Sequence, residues 1–266
     1  MNVKDKIYFA SDMHLGSPVF GDSREREKRL VQWLDSIKKD AKALYLLGDI
    51  FDFWFEYKQV VPRGFTRFLG KLAELSDAGV EIHYFIGNHD IWVYDYLPEE
   101  IGLVLHKEPF ITKISGKTFY LTHGDGLGDY SYSFKLIRWI FHNRICQVLY
   151  RAIHPDAGIK FGRSWAKHSR WKEMMHPLPY LGEDKEHLVL YAKSYLQTHP
   201  EIDCFIFGHR HILLDLMLNP QTRMMIIGDW LQHFSYAVFD GKELTLKQFD
   251  ADICHCGRDP QPPDNL

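Results

Sequence analysis

The sequence predicts an α/β fold with helices on the faces of its sheets, and three observations predict it. Short apolar runs rich in β-branched and aromatic residues alternate with segments of helical periodicity. The runs are almost continuously apolar, as strands buried on both faces must be. Each stops abruptly at Gly, Asp or His, the punctuation of a strand end. Strand following helix following strand implies a sheet with helices packed on it.

The elements follow in order. Strands are predicted at 6–10 (KIYFA), 43–47 (ALYLL), 81–86 (EIHYFI), 118–122 (TFYLT) and 204–207 (CFIF). A helix over 23–39 places Leu30, Trp33, Leu34 and Ile37 on one face, and another over 65–78 aligns Phe65, Phe68, Leu69, Leu72 and Leu75. A third helix spans 185–197, and the runs 224–227 and 236–239 are expected to extend a second sheet.

At 266 residues the chain has room for one large domain or two small ones. Apolar residues make up 45% and charged residues 25%, which excludes a disordered or fibrous chain. Thirty-two Lys and Arg against 35 Asp and Glu exclude a surface that is basic throughout, so no nucleic-acid partner is expected. No apolar run reaches the roughly 18 residues of a membrane span. The start, MNVKDKIYFASDMH, breaks its apolar run with charges and does not read as a signal peptide. Four cysteines make no disulfide framework, so a cytoplasmic location is expected.

The strand ends carry the chemistry. They read SDMHLG (Asp12, His14), GDIFDFW (Asp49, Asp52), GNHD (Asn88, His89, Asp90), HGDG (His123, Asp125) and GHRH (His209, His211). Alone, an Asp-x-His or His-x-His is usually a turn or a surface pair. Five in succession at strand ends, where ligands of such sheets gather, are a set. Flanking glycines allow the tight turns that bring such side chains together. Carboxylates, imidazoles and one amide, without thiolate, suit divalent Mn foremost, with Fe or Zn also fitting. There are too many ligands for one tetrahedral ion, but they suit two ions about 3.5–4 Å apart sharing a carboxylate.

D-x-H, G-D-x-x-D, G-N-H-D, H-G-D and G-H-x-H, in this order, resemble the calcineurin-like metallophosphoesterase family. The resemblance covers roughly residues 6–125 and 203–211. It implies a two-sheet sandwich with a dinuclear site at its edge. Asp12, His14 and His211 would hold one ion, Asn88, His123 and His209 the other, and Asp49 would bridge them. His89 would stabilise charge on the phosphate or protonate the leaving oxygen. Asp52, Asp90 and Asp125 would orient ligands rather than react.

Residues 127–180 interrupt the motif order. They hold nine Lys or Arg against three acids, interleaved with ten aromatic residues. A helix is expected over 134–153, with Phe134, Ile137, Phe141, Ile145, Val148 and Leu149 in one stripe and Leu136, Trp139 and Ile140 beyond it. So wide an apolar face on a basic helix fits acyl chains or an anionic membrane surface; a helical cap packed on the core is the plainer alternative. In FGRSWAKHSRWKE, Arg163, Lys167 and Arg170 share a helix face that could clamp phosphates, with His168 beside it.

With DMHLG, GDIFDFW, HGDGLGDYSYSF and this insertion, the chain is similar to members of the family that act on a UDP-linked diacylglucosamine of lipid A biosynthesis. That implies hydrolysis of the pyrophosphate to UMP and an acylated sugar phosphate, beneath a lid with an apolar groove, at the cytoplasmic face of the inner membrane. Asn88, His89, Asp129, Tyr132, Arg163, Lys167 and His168 would contact substrate. No obligate protein partner is implied. Where such members read G-N-R-D, this chain has His89, which can move a proton as well as meet a phosphate. A phosphodiesterase or phosphatase of a soluble nucleotide or phosphoprotein is an alternative, and a non-catalytic scaffold of the same fold a second. The expected organisation is a core over 1–126 and 181–250, a lid over 127–180 and a tail over 251–266, where Cys254, His255 and Cys256 have no partner pair. Asp229 and Trp230 either line the cleft or turn the chain.

Overall fold

The computed structural model describes residues 4–19, 21–128, 132–175 and 179–250. In chain order these form β1 (Lys6–Ala10), α1 (Ser23–Ile37), β2 (Ala41–Leu47), α2 (Thr66–Asp77), β3 (Glu81–Phe85), α3 (Tyr96–Ile101), β4 (Val104–His106), β5 (Phe110–Ile114) and β6 (Lys117–Leu121). Three helices follow, α4 (Tyr132–His142), α5 (Arg144–Arg151) and α6 (Pro155–Met175). Then come α7 (His187–Leu196), β7 (Cys204–Phe207), β8 (Leu213–Met217), β9 (Arg223–Ile227), β10 (Ser235–Phe239) and β11 (Leu244–Gln248).

Two mixed sheets result, ordered β11-β10-β1-β2-β3-β4 and β5-β6-β7-β9-β8. Alternation along each strand divides its side chains between two cores. Ile7, Phe9, Tyr45 and Phe85 of the first sheet meet Phe119, Leu121, Ile206 and Met225 of the second. The opposite faces pack on helices: Tyr8, Leu44 and Ile82 meet Leu30, Trp33 and Leu72 of α1 and α2, while Phe205 and Ile226 meet Leu188 and Ala192 of α7. The strands are therefore covered on both faces, as their near-continuous apolarity predicts. Asp22 caps α1 through the Arg24 N–H, and buried Glu27 accepts the N–H groups of Arg67 and Phe68 at the start of α2.

Two expectations are corrected. The run 236–239 lies in the first sheet, because β10 pairs antiparallel with β1, Ile7 opposite Phe239. The apolar stretch over 134–153 is two helices, broken where Asn143 Oδ1 accepts the N–H groups of Ile145 and Cys146 and starts α5. Among the described residues no helix is long and apolar enough to cross a membrane.

Candidate metal centre

β1, β2 and β3 run parallel, as do β6, β7 and β9, so each triplet ends on one edge of its sheet. These carboxyl-terminal edges adjoin, and the five motifs meet there. The β1 and β2 loops stay zipped beyond their strands: Asp12 N–H donates to the Gly48 carbonyl and His14 N–H to that of Asp49, both at 3.0 Å. Close approach requires glycine at two places. A Cβ on Gly87 would lie 2.2 Å from Asp49 Oδ1, and one on Gly208 2.6 Å from Asp12 Oδ2.

Backbone strain is concentrated here. Among the described residues, Asp12, His14, Asp49, His209 and His211 hold left-handed φ values of 53°, 42°, 53°, 68° and 51°. Each costs an L-residue on the order of 1–2 kcal/mol. Such strain persists only where surrounding contacts fix it, and it marks sites where side-chain direction matters.

The atoms that meet are mostly acceptors. Asp12 Oδ1 is buried with no hydrogen-bond donor and lies 3.1 Å from His211 Nε2 and 3.7 Å from His14 Nε2. His14 Nε2 stands 3.3 Å from His211 Nε2. Asp49 Oδ2 lies between two groups, 3.7 Å from His14 Nε2 and 3.4 Å from His123 Nε2, and the latter is 3.3 Å from Asn88 Oδ1. The His209 ring centroid is 5.2 Å from that of His123. Asp12 with His14 and His211, and Asp12 with Asp49 and His123, each present three ligand atoms within 4.8 Å of one another. Lone pairs facing lone pairs in a buried space need cations between them, so the residues fit divalent metal.

Charges agree. Burial opposes ionisation of Asp12 and Asp49, yet His211 beside the first and His123 beside the second hold both carboxyls well below their usual range. Burial likewise disfavours charge on His123 and His211, but Asp49 pushes the former up to about 10 and Asp12 the latter to about 9. His89 shows the reverse: burial, reinforced by Arg170, pushes it down to about 4.

Further groups hold the ligands. Asp90 accepts the N–H groups of Ile50 and Gly87 at 2.8 and 2.7 Å, and the Tyr84 hydroxyl, tying the β2 loop to the β3 loop. Its carboxyl is raised to about 6 by burial and by the Asp49 charge. Asp229, after β9, accepts the N–H groups of Leu231 and Gln232 and faces His211 Nδ1 at 3.4 Å. His123 Nδ1 donates to the Leu47 carbonyl at 2.8 Å, which leaves Nε2 free for an ion. His89 N–H donates to Asp49 Oδ1, and its Nδ1 donates to the Asp52 carbonyl at 2.9 Å. The loop carrying His209 and His211 is anchored by Arg210, which grips buried Glu186 at 2.7 and 3.0 Å.

The structure thus brings together Asp12, His14, Asp49, Asn88, His89, His123, His209 and His211. Arg163, Lys167 and His168 stay on the exposed side of α6, and Arg163 donates to the Arg63 carbonyl. Asp125 does not orient His123; it pairs with Arg138 of α4 at 2.6 Å. Asp129, the Tyr132 side chain and Cys254, His255 and Cys256 lie outside the described residues. Arg170 is the residue that sequence reasoning placed in the wrong company. It does not share the exposed face of Arg163 and Lys167, but is buried against Asp49, Asp52 and His211. Its signal was the spacing from Gly158, Gly162 and Ala166.

A family model described as Calcineurin-like phosphoesterase matches residues 5–213. The chain belongs to that family. It is 45% identical over 259 residues to a UDP-2,3-diacylglucosamine hydrolase of Porphyromonas gingivalis, covering 93% of this chain and 99% of that one. A protein of the same name from Ectopseudomonas mendocina is 27% identical over 248 residues, with 92% and 98% covered. Among solved structures, the E. coli phosphoesterase Yfce aligns with a TM-score of 0.44 at 15% identity over 91% of this chain and 92% of its own.

Proposed function

We propose that the chain hydrolyses the pyrophosphate bond of UDP-2,3-diacylglucosamine, releasing UMP and 2,3-diacylglucosamine 1-phosphate. The observation that carries this reading is the pairing of a buried carboxylate–imidazole centre with a basic, apolar lid beside it. The relatives that match end to end bear the corresponding name.

Asp12, His14 and His211 would hold one divalent ion, Asn88, His123 and His209 a second, with Asp49 Oδ2 facing both groups. Bound there, such ions activate water near neutral pH and neutralise phosphate oxygens, Mn being our choice of metal. The protein's own groups do the rest. Asp90 and Asp229 fix the loops so that ligand atoms need no rearrangement. His89 is neutral, and its Nδ1–H is committed to a carbonyl. Its Nε2 therefore presents a lone pair and must take up a proton before it can donate to a phosphate oxygen or pass that proton to the leaving oxygen. Asn88 and His89 contact the phosphate, Asp129 and Tyr132 the sugar, and Arg163, Lys167 and His168 line the approach from solvent.

The lid supplies the apolar requirement. No residue of α5 is buried, and Ile145, Val148 and Leu149 are 71, 64 and 65% exposed, with Trp139 of α4 at 61%. Exposed apolar groups on helices rich in Lys and Arg suit acyl chains and the anionic surface that holds them. We place the enzyme at the cytoplasmic face of the inner membrane on that ground. Metal-loaded protein is expected to release UMP from UDP-2,3-diacylglucosamine and not from unacylated UDP-sugars, and chelation should stop it. Equal cleavage of both would assign it to soluble nucleotides instead.

A further inference from the structure

The loop between β9 and β10 closes on the buried Asp229. Ser235 N–H donates to the Asp229 carbonyl at 3.1 Å, and Asp229 Oδ1 accepts the N–H groups of Leu231, Gln232 and His233 at 2.9, 2.7 and 3.1 Å. Two contacts press the end of the loop home. Phe249 N–H donates to the Phe234 carbonyl at 2.7 Å, and the Arg29 guanidinium of α1 lies 4.0 Å from the centre of the Phe234 ring. Phe234 is held at a left-handed φ of 48°, a strain that only such surrounding contacts sustain. The turn folds the half-buried His233 back over Asp229, its Nδ1 3.1 Å from Asp229 Oδ2.

That oxygen is the one that faces His211 Nδ1, at 3.4 Å. Asp229 Oδ2 thus stands between two imidazoles, with a lone pair for each. A carboxylate that only closed its own loop would need Oδ1 alone. His211 Nε2 points the other way, 3.1 Å from Asp12 Oδ1, so a proton fixed on Nδ1 is what leaves Nε2 free for an ion. His123 fixes its proton on the Leu47 carbonyl, which the backbone holds in place. His211 relies instead on a side chain whose carboxylate turns easily about its last torsion. Three N–H groups pin Oδ1; the His233 ring is the donor that pins Oδ2.

We propose that His233 is a positioning residue of the metal centre: its Nδ1–H holds Asp229 Oδ2 against His211 Nδ1–H, which orients the His211 ring and presents Nε2 to the ion held with Asp12 and His14. This deepens the metallophosphoesterase reading and rests on it. His233 touches neither ion nor substrate and acts through Asp229 alone.

The test compares wild-type protein with H233F, H233N, D229N and D229N/H233F. Phe keeps a ring without a donor, whereas Asn sets an amide N–H where His233 Nδ1 stands. Mn-loaded protein is titrated with a chelator and the bound Mn counted, which reads the hold on each ion; thermal unfolding in excess chelator reads the fold without metal. H233F is expected to hold one Mn about tenfold more weakly, the lower end for loss of an outer partner of a ligand, and the other within about twofold of wild type. H233N should stay within about twofold for both. D229N should lose about 10–100-fold at the same ion, and adding H233F should cost no more than about twofold further, because its partner is already gone. Both single His233 variants are expected to unfold within about 2 °C of wild type in chelator, since the side chain is half exposed. H233F that holds both ions as wild type does would overturn the proposal, as would H233N as weak as H233F, losses that add in the double variant, or an equal loss at both ions with a larger fall in unfolding temperature, the mark of a structural clamp. Wild-type protein that binds Mn but leaves UDP-2,3-diacylglucosamine intact would refute the substrate reading alone, because the His233 effect is read on the metal.

Discussion

At the residue scale, the centre is built from side chains held in conformations they would not choose. Five of the seven proposed ligands sit at positive φ, a cost on the order of 5 kcal/mol in all and comparable to the net stability of a domain. What holds them is specific: loop-to-loop backbone bonds, the Asp90 carboxylate and glycines that admit close neighbours. Gly87→Ala is therefore expected to cost about 1–3 kcal/mol of stability and to weaken Mn binding about 10–100-fold, measured by thermal unfolding and calorimetry. Asp49→Ala should abolish turnover, since it removes the oxygen that faces both groups; unchanged activity would refute its bridging role. The proposed ligands are legible in the sequence because each lies within four residues of a strand end with a glycine nearby. The neighbours of Arg170 were not, because helical periodicity gives a residue's face but not what that face meets.

At the element scale, the strands read correctly from sequence are mostly the interior ones. The four that were missed, β4, β5, β8 and β11, are the four edges of the two sheets. An edge strand is covered on fewer sides, so its pattern is mixed, as in FITKI and LLDLM, and an apolar-run criterion passes over it. The helical periodicities of 23–39 and 65–78 held to within two residues, because both helices bury a full face. The joined helix failed at Asn143, where a local side-chain cap outcompetes continuation.

Two predictions belong to this scale. I145D combined with L149D is expected to weaken binding to anionic lipid vesicles at least about tenfold while shifting stability by no more than about 0.5 kcal/mol, since both side chains are exposed. Vesicle flotation and thermal unfolding read the two effects separately. The second concerns β3 and β4, where His83 Nδ1 and His106 Nε2 are 2.9 Å apart, with His106 stacked on Phe85. Burial pushes His106 down to about 4, with His83 adding to the effect, and burial lowers His83 as well. The unfolded chain therefore takes up these protons first as the medium acidifies. Stability from this pair is present above about pH 6.5 and is lost as pH falls towards 4. His106→Gln should flatten the fall in unfolding temperature between those limits relative to wild type.

At the scale of the whole molecule, two sheets share one core and bring their carboxyl-terminal edges together, so that six strand ends serve one site. The charge is divided accordingly: residues 127–180 carry nine Lys or Arg against three acids, so the rest of a chain of net charge −3 is acidic. The buried carboxylates and imidazoles lie in the sandwich and the exposed apolar residues in α4 and α5, with Arg170 of α6 reaching Asp49 and His211. Metal that binds only the folded chain stabilises it by mass action, so chelation is expected to lower the unfolding temperature and Mn to restore it. Elemental analysis of active protein, alongside Asp49→Ala, measures the centre most directly. Two divalent ions per active chain, with fewer than two and no turnover in the variant, is the predicted result; full turnover in protein stripped of divalent ions would contradict it.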